Sequence, residues 1–185
     1  MKKLLLITVI SVLAFTKSQA QDVKFGVKLG ANFSSIYGDT SDEIETITSV
    51  ISFGAYSEIA FNEKFSFQPE LMYSIQGFSV GDDIVTLNYL GLPLMGKYYV
   101  TKGLSLEAGP QIGYLLSAKD EGRDVKDNFK SLDYGLTFGV GYKLENGLNF
   151  SARYNAGLSN INDVVGSKDK FRNGVAQLSI GYSFF

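Results

Sequence analysis

The sequence predicts an all-β fold, an eight-stranded antiparallel up-and-down transmembrane β-barrel. Three observations predict it. Eight segments alternate apolar and polar residues with a period of two, and successive strand side chains point to opposite faces. Each segment runs for about 10–13 residues. Soluble strands average ~5–6 residues, whereas a tilted strand needs ~9–11 to cross a bilayer. Finally, the connections alternate short and long along the chain.

The first 20 residues stand apart from this pattern. Met1-Lys2-Lys3 is a positive start, Leu4 to Phe15 is apolar apart from Thr8 and Ser11, and Ser18 and Ala20 are small residues two apart. That is the layout of a cleavable secretory signal, with the cut after Ala20. The apolar run is too short for a membrane helix, which needs ~20 residues. Residues 21–185 then form the barrel domain. Losing Lys2, Lys3 and Lys17 leaves that domain more acidic than the whole chain, whose net charge is −2.

The alternation opens without an error. Val23, Phe25, Val27, Leu29, Ala31 and Phe33 face Lys24, Gly26, Lys28, Gly30, Asn32 and Ser34. A second, less regular strand runs from Ile51 to Phe61. The third places Phe65, Phe67, Pro69, Leu71, Tyr73 and Ile75 on one face. The fourth, Leu90 to Val100, is again less regular, and the fifth carries Leu104, Leu106, Ala108, Pro110, Ile112, Tyr114 and Leu116. The sixth is the cleanest: Leu132, Tyr134, Leu136, Phe138, Val140, Tyr142 and Leu144 alternate with Ser131, Asp133, Gly135, Thr137, Gly139, Gly141 and Lys143. Leu148 to Leu158 and Ala176 to Phe184 complete the set. Short turns fall at 62–64, 101–103 and 145–147, the last with the Asn-Gly pair that favours hairpins. Long connections are expected at about 35–49, 77–85, 118–130 and 159–172.

Alternation alone does not say which face is inside. A soluble exported barrel would bury the apolar face. The strand lengths argue for the inverse arrangement. So does the polar face, built mainly from Gly, Ser, Thr, Asn and Gln, which suits a narrow lumen better than a wetted outer wall. Short turns at one end and long polar connections at the other match the asymmetry of outer-membrane barrels. In lipid only a closed sheet satisfies every backbone group. Composition agrees: charged residues make up 19% against about 25% in soluble domains.

The whole region after the signal resembles the small outer-membrane β-barrel proteins of Gram-negative bacteria, the porin-family or OmpX/OmpA-like barrels. The resemblance rests on the signal, on Phe25-Gly26-Val27-Lys28-Leu29-Gly30, on Tyr89-Leu90-Gly91-Leu92-Pro93-Leu94-Met95-Gly96-Lys97-Tyr98-Tyr99 and on the aromatic end Gly181-Tyr182-Ser183-Phe184-Phe185. Members often carry Glu where Gly91 stands, so a lumen charge is absent here. The family's usual membrane-facing terminal aromatic corresponds to Phe184, with Phe185 one position beyond. The resemblance implies an outer-membrane location and both ends of the barrel domain in the periplasm. It also implies lipid and lipopolysaccharide as surroundings, the barrel-assembly machinery during biogenesis, and an extracellular partner met through the loops.

Candidate site residues lie on the polar face. Lys28, Glu58, Glu70, Lys97, Glu107 and Arg153 all sit about four to six residues from the nearest short turn or terminus. Three carboxylates and three cations therefore fall near one level of the lumen, as a salt-bridged plug or as an ion path. No catalytic site is expected. The chain has no His and no Cys, and no Gly-x-Ser-x-Gly elbow supports a serine nucleophile. No cofactor is implied, and the acidic balance argues against nucleic acid. Asp39, Asp42, Glu43, Glu45, Asp82 and Asp83 could meet a divalent cation but match no EF-hand spacing. The tyrosines at 56, 73, 98, 99, 114, 142, 154 and 182 are expected in interfacial girdles where they lie near strand ends. The commitment is a structural or surface-contact barrel with a side-chain-filled lumen, and the alternative is a passive small-solute or ion channel.

Overall fold

The alternating segments pair in chain order and close on themselves. A computed structural model describes residues 23–38, 44–80 and 83–184. The strands are β1 (Val23–Gly38), β2 (Ile44–Ala60), β3 (Phe65–Val80), β4 (Asp83–Tyr99), β5 (Leu104–Asp120), a two-residue β6 (Arg123–Asp124), β7 (Leu132–Lys143), β8 (Leu148–Gly157) and β9 (Phe171–Phe184). Apart from β6, which only extends β5, each strand pairs antiparallel with the next, and β9 returns to β1 with Phe184 opposite Phe25. Eight long strands thus form a ring with no free edge. The expected signal at 1–20 and the loop acids Asp39, Asp42, Glu43 and Asp82 lie outside the described residues.

Three tight turns gather at one end, and local side chains build them. The Asn62 side-chain oxygen accepts from the backbone N–H groups of Lys64 and Phe65, each at 2.9 Å. Thr101 accepts from Leu104 N–H at 3.2 Å, and Asn146 from Leu148 N–H at 3.1 Å. Gly147 takes φ of 90°, a conformation a side chain would strain. Both Val23 and Phe184 lie at this turn end.

The apolar face points outward. Phe25, Leu29, Phe53, Leu71, Leu106, Tyr134, Leu136, Phe138 and Leu178 are among the large exposed side chains, while Thr137, between Leu136 and Phe138, is buried. An apolar surface this extensive belongs in lipid rather than water.

The loop end departs from the sequence expectation in two ways. First, the strands run on. β1 to β5 are 16 or 17 residues long, and the expected connections 35–49 and 77–85 are mostly strand, leaving 39–43 and 81–82 between β1 and β2 and between β3 and β4. Ser79 pairs with Ile84 and Val80 with Asp83. The hydrogen-bonded ladder continues above the apolar band, where polar residues can face water outside, so a reading based on apolar-outward alternation stops too early. Second, the lumen there is not polar. Ile36, Phe78, Leu87, Tyr89, Leu115, Ala118 and Ile161 form a buried cluster inside the ring. An extra residue in β5, where the pairing steps from Asn88↔Ser117 to Tyr89↔Leu115, lets both Leu115 and Ala118 reach this cluster.

The 118–130 connection does not stand free. After β6 and a single 3-10 turn (Lys126–Asn128), Val125 and Phe129 pack on the apolar cluster. Val125 N–H donates to Ala118 O at 3.1 Å, Lys130 N–H to Ile161 O at 2.8 Å and Asp163 N–H to Asn128 O at 2.9 Å. The two loops after β5 and β8 therefore brace each other over an apolar cap.

Candidate functional site

Seven of the eight long strands each send one charged side chain to the turn-end half of the lumen. Lys28 of β1 meets Glu70 of β3 at 2.9 Å. Glu70 also meets Arg153 Nη1 of β8 at 2.8 Å, and Arg153 Nε meets Glu107 of β5 at 2.7 Å. Glu107 continues to Lys97 of β4 at 3.3 Å, Lys97 to Glu58 of β2 at 3.9 Å, and Glu58 to Lys143 of β7 at 2.9 Å. The sign alternates at every step, so no like charges are neighbours in this chain of seven.

The six residues singled out in the sequence are all members, and each is buried. Sequence counting missed Lys143. It shares the inward parity of Gly139 and Gly141, but it sits one residue before a turn, and its long stem carries the ammonium back to Glu58. It also missed the neutral partners. Gln68 donates to Glu70 at 2.6 Å and accepts from Lys97 at 3.1 Å; Ser66 donates to Glu58 at 3.1 Å and Ser105 to Glu107 at 3.2 Å. The Tyr99 hydroxyl also donates to Glu58. Tyr56 does not join a girdle either: it is buried in the lumen, with its hydroxyl 2.9 Å from Ser183 Oγ and accepting from Asn149 at 2.7 Å.

Glycines make the crowding possible. A Cβ at Gly141 would lie 2.3 Å from Glu107 Oε1, and one at Gly139 would lie 2.9 Å from Arg153 Cγ. The small residues of the polar face are thus the complement of its large charged ones. Buried charges are tolerable only when paired and hydrogen-bonded, and this arrangement meets that condition at most atoms. Two remain without a hydrogen-bond partner, Glu70 Oε2 and Arg153 Nη2. A further carboxylate, Asp133 of β7, is buried nearer the loop end. It accepts from Asn173 at 2.7 Å and from Ser159.

Such a lattice can fill a cross-section and bind strands together. It supplies no His, no Cys and no nucleophile–base pair. Among the described residues, no group of three or more His, Cys, Asp or Glu is placed to hold a metal ion.

Comparison with known proteins agrees with this architecture. The family model for the outer membrane protein beta-barrel domain matches residues 19–163. The solved structure of Neisserial surface protein A is similar with a TM-score of 0.61 at 14% identity, over 88% of this chain and 99% of that one. Ail, the attachment invasion locus protein of Yersinia pestis, solved in complex with the heparin analogue sucrose octasulfate, gives a TM-score of 0.53 at 16% identity, over 88% and 99%. A search of curated proteins finds no match.

Proposed function

This chain belongs to the outer membrane protein beta-barrel family, and on that premise we propose that it is a non-conducting, non-catalytic barrel of the outer membrane that works through its loop-end surface. The observation that carries the reading is the unbroken chain Lys28–Glu70–Arg153–Glu107–Lys97–Glu58–Lys143 across the lumen. An eight-stranded barrel encloses just enough space for side chains to fill. Opening a path here means separating buried ion pairs, and the apolar cap adds a second closed layer.

In this reading residues 1–20 are removed on export, the turn end faces the periplasm and the loops face outside among lipopolysaccharide. Phe184, exposed on the lipid side, is the terminal aromatic that the barrel-assembly machinery would meet. The outward loop after β8 is built for contact. The Asn160 side chain accepts from Asn162 N–H and Phe171 N–H, and Asn162 accepts from Val164 N–H while donating to Ser167 and to Asp169 O. This scaffold presents Val165 fully exposed and Val164 half exposed. Asp163 and Asp169 balance Lys168 and Lys170 around them, so the surface suits a partner with an apolar patch. A sulfated polyanion of the kind bound by Ail would find no basic face there.

Planar-bilayer recording of the refolded protein tests the proposal. No single-channel steps are expected from the wild type. Regular, ion-selective steps would overturn it and establish the channel alternative.

A further inference from the structure

Between the charge chain and the apolar cap the lumen is not filled. A cavity of about 30 Å³ lies there, lined among others by Gln76, Gly91, Gln111, Thr137, Arg153 and Asn155. Two lining residues, both more than nine-tenths buried, carry atoms without a hydrogen-bond partner: Gln76 Oε1, an acceptor, and Arg153 Nη2, a donor. Buried polar groups in native proteins are almost always satisfied, so this pair points to a ligand that both donates and accepts. An anion would serve Arg153 and leave Gln76 unmet, and a cation would do the reverse. Water serves both, and the cavity has room for about two molecules.

We propose that the lumen holds an occluded hydration site. Water bridges Arg153 and Gln76, closed from the loop end by the cap of Leu87, Leu115 and Ile161 and from the turn end by the ion-pair chain. The space is owed largely to Gly91, because a Cβ there would meet nothing nearer than Met72 O at 3.7 Å. The inference rests on the closed-barrel reading above and extends it: two unlike seals stand in series around one small polar chamber. Loosening either seal alone leaves the barrel shut, while loosening both connects water across it.

Oxygen-17 magnetic relaxation dispersion of the refolded barrel counts long-lived internal waters and tests the site. Gly91→Ser places a hydroxyl in the chamber with little backbone conflict, and Gln76→Leu removes the orphan acceptor. Each variant is expected to lose at least one long-lived water relative to wild type, with folding checked by the heat-dependent band shift in detergent gels. An unchanged water count in both folded variants would overturn the site. The seals are tested by conductance. Ile161→Ala with Phe129→Ala should stay silent, as should Arg153→Ala alone, and the combination should conduct. Conduction by either partial variant would overturn the two-seal arrangement. Conduction by the wild type would instead overturn the closed-barrel reading, so the two failures are distinguishable.

Discussion

Arg153 is the joint of the lumen network, and its removal has a magnitude that the geometry fixes. Arg153→Ala deletes two short charge-assisted bonds, at 2.8 Å to Glu70 and 2.7 Å to Glu107. Hydrogen bonds to charged groups contribute about 1.5–3 kcal/mol each. Neither carboxylate is then stranded. Glu70 keeps Lys28 at 2.9 Å and Gln68 at 2.6 Å, and Glu107 keeps Lys97 at 3.3 Å and Ser105 at 3.2 Å. The loss should therefore fall near the low end of the ~3–5 kcal/mol for breaking a buried pair, at about 3 kcal/mol. Lys97→Ala, whose ion pairs are longer at 3.3 and 3.9 Å, should cost less. Urea unfolding in lipid vesicles, followed by the heat-dependent gel shift, measures both. Double-mutant cycles of Arg153→Ala with Glu70→Gln and with Glu107→Gln should give couplings of about 1–2 kcal/mol each, since removing the facing charge relieves part of the loss. Arg153→Met retains much of the stem's packing and separates the charge effect from lost volume. A cost below about 0.5 kcal/mol for Arg153→Ala, with no coupling to either Glu, would refute the reasoning.

Three other outcomes follow from the same coordinates. Leu136→Arg should depress refolding yield and stability by about 2–4 kcal/mol, because a cation is placed in lipid near mid-depth; Thr137→Arg, one residue along, meets the lumen instead and should behave differently, failing by crowding against Asn155 and Gln111 rather than by lipid exposure. Gly141→Ala should destabilise by about 1–3 kcal/mol, since its Cβ would press within 2.3 Å of a Glu107 oxygen already pinned by Arg153, whereas Gly91→Ala should be close to neutral. Single cysteines at Asp124 should react with impermeant thiol reagents on intact cells and those at Glu63 or Asn146 should not; the reversed pattern would invert the assigned orientation.

The lipid-facing band was legible because lipid imposes one rule on it. Every outward position must be apolar, so the period-two pattern is nearly free of exceptions from Val23 to Phe33 and from Leu132 to Leu144. The same rule makes inward positions readable by elimination, which is how six members of the ion-pair chain could be picked out by parity and height. Lys143 escaped because height was counted at the backbone, while a lysine's charge sits several bonds away from it. Tyr56 escaped because a tyrosine near a strand end suits a girdle as well as a lumen. Its hydrogen bonds to Ser183 and Asn149, contributed by β9 and β8, exist only once the ring has closed.

The loop end was illegible for a different reason, and that reason bears on how the barrel closes. Above the lipid the outside of the ring meets water and the inside can be dry, so the binary pattern inverts. Ile36, Phe78, Leu87 and Leu115 occupy the inward parity that lower down belongs to Lys28, Glu70, Lys97 and Glu107 on the same four strands. A sequence scan that seeks one apolar face per strand sees this crossover as noise and assigns a loop. Each of those strands instead carries two closures of opposite chemistry, an ion-pair layer where the wall is surrounded by lipid and an apolar layer where it is surrounded by water. The apolar cap needs a loop to complete it, since β7 and β8 are only 12 and 10 residues long and leave that side of the wall low. Ile161, Phe129 and Val125 fill the gap, and the backbone bonds between the two loops hold them in place. Shortening either loop should therefore uncover the cap from above without touching the ion-pair chain beneath it.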